Sequence, residues 1–357
     1  MKKSTIIGIV ILLALVGFIV SQKGDSTINQ EKQNNKVATT IFPLYDMTKQ
    51  IAGDEFEVVL ILPSGSSPHT FDPQPSLLKE LQGSQAIFAI GHGLDNWATT
   101  IARSIDSPII TLDDDVNLRA TVEEHEEHSD EEDTHDDHEE ESGHKDDHMD
   151  GVHDDHDDEE GHDDEHYDED HDDHNDEDQE EHEGHDHGPI DPHYWLSLHN
   201  AEQITMNIAY ELSELDVENT DLYMNRAKVY IQKIEALEIE LKGKTQALLN
   251  NNIISLHDAW YYFAEEFDLN LVGTFEPSAG KEPTPQYIAN LEHEVEEHSV
   301  STLFMEPQLS QSSVQAFAND HDLGIAVIDP LGGAEGRNSY LELMRYNVEQ
   351  VVAALNN

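Results

Sequence analysis

Residues 123–187 hold fifteen of the chain's 23 histidines, and nearly everything else there is Asp or Glu. Imidazole and carboxylate together are the ligand set of borderline divalent metals such as zinc, so the run names a class of cargo. It carries 37 acidic residues against one lysine, Lys145, for a formal charge of −36; the rest of the chain carries −23. With so few apolar side chains the run cannot offset the entropy of ordering its backbone, and composition predicts a disordered acidic insertion over 119–188. Within it His135 and His138, His153 and His156, and His171 and His174 stand three apart, with His185 and His187 near the end. These eight are expected to act as auxiliary, low-affinity metal donors. The plainer reading is a solvating acidic linker, but such linkers rarely carry histidine at this density.

Three further residues of metal-ligating type stand where alternating strands and helices would place ligands, and a fourth follows the acidic run. Residues 37–41, 57–62, 86–90 and 108–112 read as short buried strands, with helices over 43–51, 76–81 and 94–105. A second such series follows: strands over 253–256, 269–273, 300–305 and 325–328, and helices over 259–267, 286–298, 312–320 and 340–355. Between the two series, 201–215 and 220–249 repeat apolar residues at helical spacing. The second of these would span roughly 30 Å or more at 1.5 Å per residue. The expected fold is α/β: two similar parallel-sheet lobes joined by a long helix, with strand 57–62 covered on both faces.

In open parallel sheets, ligands bind beyond the carboxyl ends of the strands. His69 follows the strand that ends at Leu62, His257 directly follows Leu256, and Asp329 directly follows Ile328. His193 sits in Asp191-Pro192-His193-Tyr194-Trp195, where packing residues return after the acidic run. Three imidazoles and one carboxylate suit a tetrahedral Zn²⁺ site between the lobes, with nitrogen ligands at about 2.0–2.1 Å. Plainer readings stand beside these: a loop histidine in a proline turn for His69, the last member of the run for His193, a core histidine for His257, a strand-end turn for Asp329. His92, His199, His293, His298 and His321 are read as structural or surface residues, with His199 the nearest accessory.

Composition narrows the rest. With no cysteine there is no thiolate zinc site, no disulfide and no lipid-modified cysteine. The acidic balance argues against nucleic acid as a partner. Met1-Lys2-Lys3 followed by the apolar stretch 6–20 reads as a secretory signal or an uncleaved membrane anchor. The expected organisation is 1–36 as signal or anchor plus tether, 37–200 as the first lobe, 201–249 as linking helices and 250–357 as the second lobe.

Several segments match a family. Ile61-Leu-Pro-Ser-Gly-Ser-Ser-Pro-His-Thr-Phe-Asp-Pro-Gln-Pro75 resembles the first metal motif of the zinc and manganese solute-binding proteins of ABC transporters. Asp191-Pro-His-Tyr-Trp-Leu-Ser197 resembles the second, His257-Asp-Ala-Trp-Tyr-Tyr-Phe263 the third and Asp329-Pro-Leu-Gly332 the last. The resemblance implies two α/β lobes joined by a long helix, with a metal ion buried between them. It also implies a function: binding metal outside the cytoplasm, in the periplasm or at the outer face of the membrane, and handing it to a permease powered by a cytoplasmic ATPase. Manganese-type members place Glu where this chain has His257, which favours Zn²⁺ over Mn²⁺. A monomer that is not an enzyme is expected. The rival readings are a zinc-dependent hydrolase, using an open fourth position to activate water, and an extracellular metal buffer or adhesin without a transport role.

Overall fold

The computed structural model describes residues 35–121, 189–276, 284–309 and 311–356. The predicted signal or anchor, residues 122–188 of the acidic insertion and its eight auxiliary histidines (His135, His138, His153, His156, His171, His174, His185 and His187) lie outside the described residues, whereas Arg119, Ala120 and Thr121, the first three residues of the predicted insertion, belong to the described fold.

The first lobe runs β1 (Asn35–Thr39), α1 (Phe42–Ala52), β2 (Phe56–Leu60), α2 (Leu77–Leu81), β3 (Ile87–Ala89), α3 (Ala98–Ile105) and β4 (Ile109–Thr111). Its four strands are all parallel, in the order β2-β1-β3-β4. The chain therefore starts on an interior strand, steps out to one edge, then crosses back to build the other side. The second lobe repeats this winding. Its elements are β5 (Asn252–His257), α6 (Tyr261–Glu266), β6 (Asn270–Glu276), α7 (Pro285–Glu297), β7 (Thr302–Met305), α8 (Gln311–Asp320), β8 (Gly324–Val327) and α9 (Tyr340–Leu355). Its parallel sheet has the order β6-β5-β7-β8. Both windings leave a reversal point next to the first strand, the place where ligands collect at the carboxyl ends of such sheets.

One strand differs from its sequence reading. β2 is an edge strand, and Glu57 on it is exposed and pairs with Lys36 at 3.5 Å. Regular pairing stops at Leu60, while Ile61 and Leu62 stay buried as the chain bends toward the site. A continuous apolar run registers burial, and here part of that burial belongs to the bend rather than to the strand.

Between the lobes lie α4 (Leu198–Leu215) and α5 (Thr220–Thr245). Ser197 caps α4 by accepting from the Asn200 N–H at 3.2 Å. The 26 residues of α5 reach about 39 Å. Tyr223, Ala227, Tyr230, Ile234, Leu237 and Leu241 form its buried stripe, which packs on α4, α1 and α9. One hydrophobic core extends from Phe88 of the first sheet through this helix to Phe304 of the second, with a smaller cluster beneath each sheet. α9, the last helix of the second lobe, starts against the first: buried Asp46 on α1 accepts from the Tyr340 N–H at 2.9 Å. No helix among the described residues is long and apolar enough to cross a membrane.

Candidate metal centre

His69 occupies the short 3-10 turn Pro68–Thr70, in the connection after β2. Ser67 opens the turn, its Oγ accepting from the His69 N–H at 3.3 Å. The Pro68 carbonyl accepts from Trp97 Nε1 at 3.0 Å, which ties the turn to the start of α3.

His193 is set by Asp191 two residues earlier. One carboxylate oxygen, Oδ1, accepts from the His193 backbone N–H at 3.0 Å and from its Nδ1 at 2.8 Å. A carboxylate can only accept, so the proton sits on Nδ1 and Nε2 is left as the donor to a metal. The turn that follows, Tyr194–Leu196, is fastened on two sides. Tyr194 donates its hydroxyl to the Ile90 carbonyl of the first lobe at 2.9 Å, and Trp195 Nε1 donates to the Pro330 carbonyl of the second at 2.7 Å. Just upstream, Ala120 and Ile190 form an antiparallel bridge, so the chain leaves and re-enters the described fold at one point. Tyr262 clamps that neck: its hydroxyl accepts from the Arg119 N–H at 2.7 Å and donates to the Asp191 carbonyl at 3.1 Å.

His257 is the last residue of β5 and is 3% exposed. Its Nδ1 lies 3.3 Å from Glu306 Oε1 and its Nε2 3.1 Å from Asp258 Oδ1. Glu306 directly follows the neighbouring strand β7, and its Oε1 also accepts from Trp260 Nε1 at 2.9 Å.

The three imidazoles meet. Ring centroids stand 5.9 Å apart for His69 and His193, 5.0 Å for His69 and His257, and 5.2 Å for His193 and His257. One nitrogen from each lies within 4.8 Å of the other two. Around a tetrahedral zinc, bonds of about 2.0–2.1 Å put neighbouring donors roughly 3.3 Å apart, a closure that rotamer adjustment can supply. The cavity between the rings measures about 20 Å³ and is bounded further by Trp195, Glu306, Gln308 and Leu331. That volume suits one ion or one water and is far below the roughly 300–1,000 Å³ of pockets for organic ligands.

The charge state is uneven. Burial, with repulsion from His257, holds the His193 pKa well below its ordinary value. Burial also opposes the charged form of His257, but Glu306, Asp258 and Asp191 outweigh it and push its pKa up to about 9. Asp258 is pushed up to about 6, chiefly by burial, with Asp191 and Glu306 adding and His257 opposing. One proton therefore rests on His257 at neutral pH, and His193 is neutral.

Asp329, the fourth expected ligand, is not gathered with the three histidines. Its Oδ2 lies 3.2 Å from Arg337 Nε, and its Oδ1 accepts from Gln308 Nε2 at 3.1 Å and from the Leu331 N–H at 3.0 Å. The other described histidines stand in ion pairs or hydrogen bonds elsewhere: His92 with Asp113, His293 with Glu297, His298 with Glu294, His321 with Glu292, and the His199 N–H on Glu266. Among the described residues there is one cluster of metal-ligating side chains. Sequence reading missed Asp191, Glu306 and Arg337. Glu306 carried the same signal as Asp329, a carboxylate directly after a parallel strand.

A family model described as zinc-uptake complex component A, periplasmic, matches residues 37–354. The zinc-binding protein AdcA of Streptococcus pyogenes serotype M3 is 25% identical over 322 residues, covering 88% of this chain; the chain spans only 55% of AdcA's own length. The manganese-binding lipoprotein MntA of Halalkalibacterium halodurans is 22% identical over 362 residues, with both chains covered in full. A crystal structure of ZnuA, 21% identical, superposes with a TM-score of 0.66 over 90% of this chain and 99% of that one, a likeness of fold. With the family match running from the first strand into the closing helix, the chain belongs to the family described as zinc-uptake complex component A.

Proposed function

We propose that the chain is an extracytoplasmic Zn²⁺-binding protein that takes one ion on His69, His193 and His257 and delivers it to the membrane permease of an ABC importer driven by a cytoplasmic ATPase. The observation that carries this reading is the convergence of three imidazoles, drawn from both lobes, around a cavity of about 20 Å³. The donor chemistry favours zinc: imidazole suits it, whereas Mn²⁺ prefers carboxylate, carbonyl and water oxygens. Asp191 and Glu306 hold the two buried rings by Nδ1, the usual way in which an outer carboxylate fixes ring tautomer and raises ligand basicity. The same cavity speaks against hydrolysis, because an ester or peptide has no room beside the ion.

In this reading the long helix α5 and the shared core keep the lobes close to their present arrangement, and capture needs side-chain adjustment rather than wide closure. Residues 37–200 and 250–357 act as the two metal-gripping lobes, 201–249 as the spacer, and 1–36 as the export signal or anchor. The auxiliary histidines of 119–188 collect ions at low affinity for transfer to the interlobe site. Competition titration against chelators of graded affinity tests the assignment. One tight zinc site should survive deletion of 123–187 and should bind Mn²⁺ far more weakly; loss of the tight site with that deletion would refute it.

A further inference from the structure

Asp329 pairs with Arg337 just behind Gln308, Pro330 and Leu331, which line the cavity, and the three-histidine site leaves the pair unexplained. The Asp329 residue is 2% exposed. Both of its oxygens are engaged, Oδ1 by Gln308 and the Leu331 N–H, Oδ2 by Arg337. Its backbone is clamped too: Asn347 Oδ1 accepts from the Asp329 N–H at 2.8 Å, and Asn347 Nδ2 donates to the Asp329 carbonyl at 2.7 Å. Arg337, with a partly buried side chain, is held in place as well. Its guanidinium lies 4.6 Å from the centroid of the Tyr346 ring, and the Gly333 N–H closes its loop on the Arg337 carbonyl at 2.9 Å. The Arg337 Nε contact is a close charge pairing rather than an aligned hydrogen bond.

A free carboxylate here would give the ion a hard, anionic fourth donor. Arginine does not deprotonate in proteins, and breaking a buried pair leaves an uncompensated charge. The pair is thus a standing competitor for Asp329. An added carboxylate oxygen tightens any divalent ion, but most of all one that prefers oxygen to nitrogen, as Mn²⁺ does.

We propose that Arg337 is a specificity-determining residue: by holding Asp329 it withholds that carboxylate from the ion, keeps the site at three imidazoles, and so favours Zn²⁺ over Mn²⁺. This rests on the three-histidine reading above.

The test titrates Zn²⁺ and Mn²⁺ separately against the full chain at up to one equivalent, with zinc-edge X-ray absorption as a second readout. Asp329→Asn should leave the zinc Kd within about threefold, below the 10–100-fold typical of a lost supporting partner, and the absorption spectrum unaltered. Arg337→Met should tighten Mn²⁺ binding at least tenfold and narrow the Zn²⁺ to Mn²⁺ ratio, Arg337→Lys should keep the ratio, and Asp329→Asn added to Arg337→Met should restore it. A tenfold or greater loss of zinc affinity in Asp329→Asn alone overturns the proposal, and that variant decides the matter even where Arg337→Met does not fold. An unchanged ratio in folded Arg337→Met overturns it as well. Undiminished tight zinc binding in His193→Ala would instead bring down the underlying three-histidine reading.

Discussion

The two lobes are wound in the same strand order, yet they offer the cavity different kinds of donor. The first lobe supplies His69 and His193 from loops, each shaped by a short turn and a local side-chain acceptor, Ser67 for one and Asp191 for the other. The second supplies His257 from the end of an interior strand, with Glu306 one strand away. Topology thus provides an address, the carboxyl ends of parallel strands, and does so twice. The electrostatic character of each donor comes from its local acceptors. His193 meets one carboxylate and a neighbouring histidine and stays neutral, while His257 stands among several carboxylates and holds a proton.

Losing a ligand should have the largest effect. His193→Ala and His257→Ala should each weaken zinc binding more than the roughly 10–100-fold expected for a supporting residue. His69→Ala, from a partly buried loop, should lose the least of the three. Equal losses at all three positions, measured by chelator competition, would erase the contrast between loop and strand donors.

The supporting carboxylates come next. Asp191→Asn should cost about 10–100-fold in zinc affinity. Glu306→Gln should cost less near neutral pH, because removing its charge also lowers the His257 pKa and eases proton competition. A larger loss for Glu306→Gln in the same titration would contradict the assigned charge states.

Proton linkage gives a third contrast. Zinc takes a neutral imidazole, so binding near neutral pH should release about one proton, from His257, and affinity should fall up to tenfold per pH unit below about 9. In the metal-free protein the sign is opposite. A raised folded-state pKa gives stability that is full below the unfolded value of about 6.5 and is lost as pH rises through about 9. Calorimetry in buffers of different ionisation enthalpy counts the proton, and denaturant unfolding of metal-free protein reads the second trend. The smallest expected effect is Tyr340→Phe, which removes only the hydroxyl that donates to the Trp195 carbonyl at 2.7 Å and should cost about 1 kcal/mol in denaturant unfolding.

Much of this architecture was legible in the chain. Strands and helices announced themselves through burial period and turn residues, and the stripe from Tyr223 to Leu241 marks the buried face of α5. Three of the four candidate residues come together: strand ends pointed to His69 and His257, and the return of packing residues after the acidic run pointed to His193. What could not be read were relations between distant segments. Nothing adjacent in sequence pairs Glu306 with His257, or binds Asp329 to a guanidinium eight residues on across a glycine-rich loop. The edge position of β2 was hidden for the same reason: strand order is a long-range property, and Glu57 was the one local hint of it.

The central claim is that imidazoles from both lobes close on a single ion. Anomalous scattering at the zinc edge, from crystals of the chain loaded with one equivalent of Zn²⁺, tests it most directly. The account predicts one dominant peak at about 2.0–2.1 Å from a nitrogen of each of His69, His193 and His257. A dominant peak away from these rings, or one touching residues of a single lobe, would contradict it.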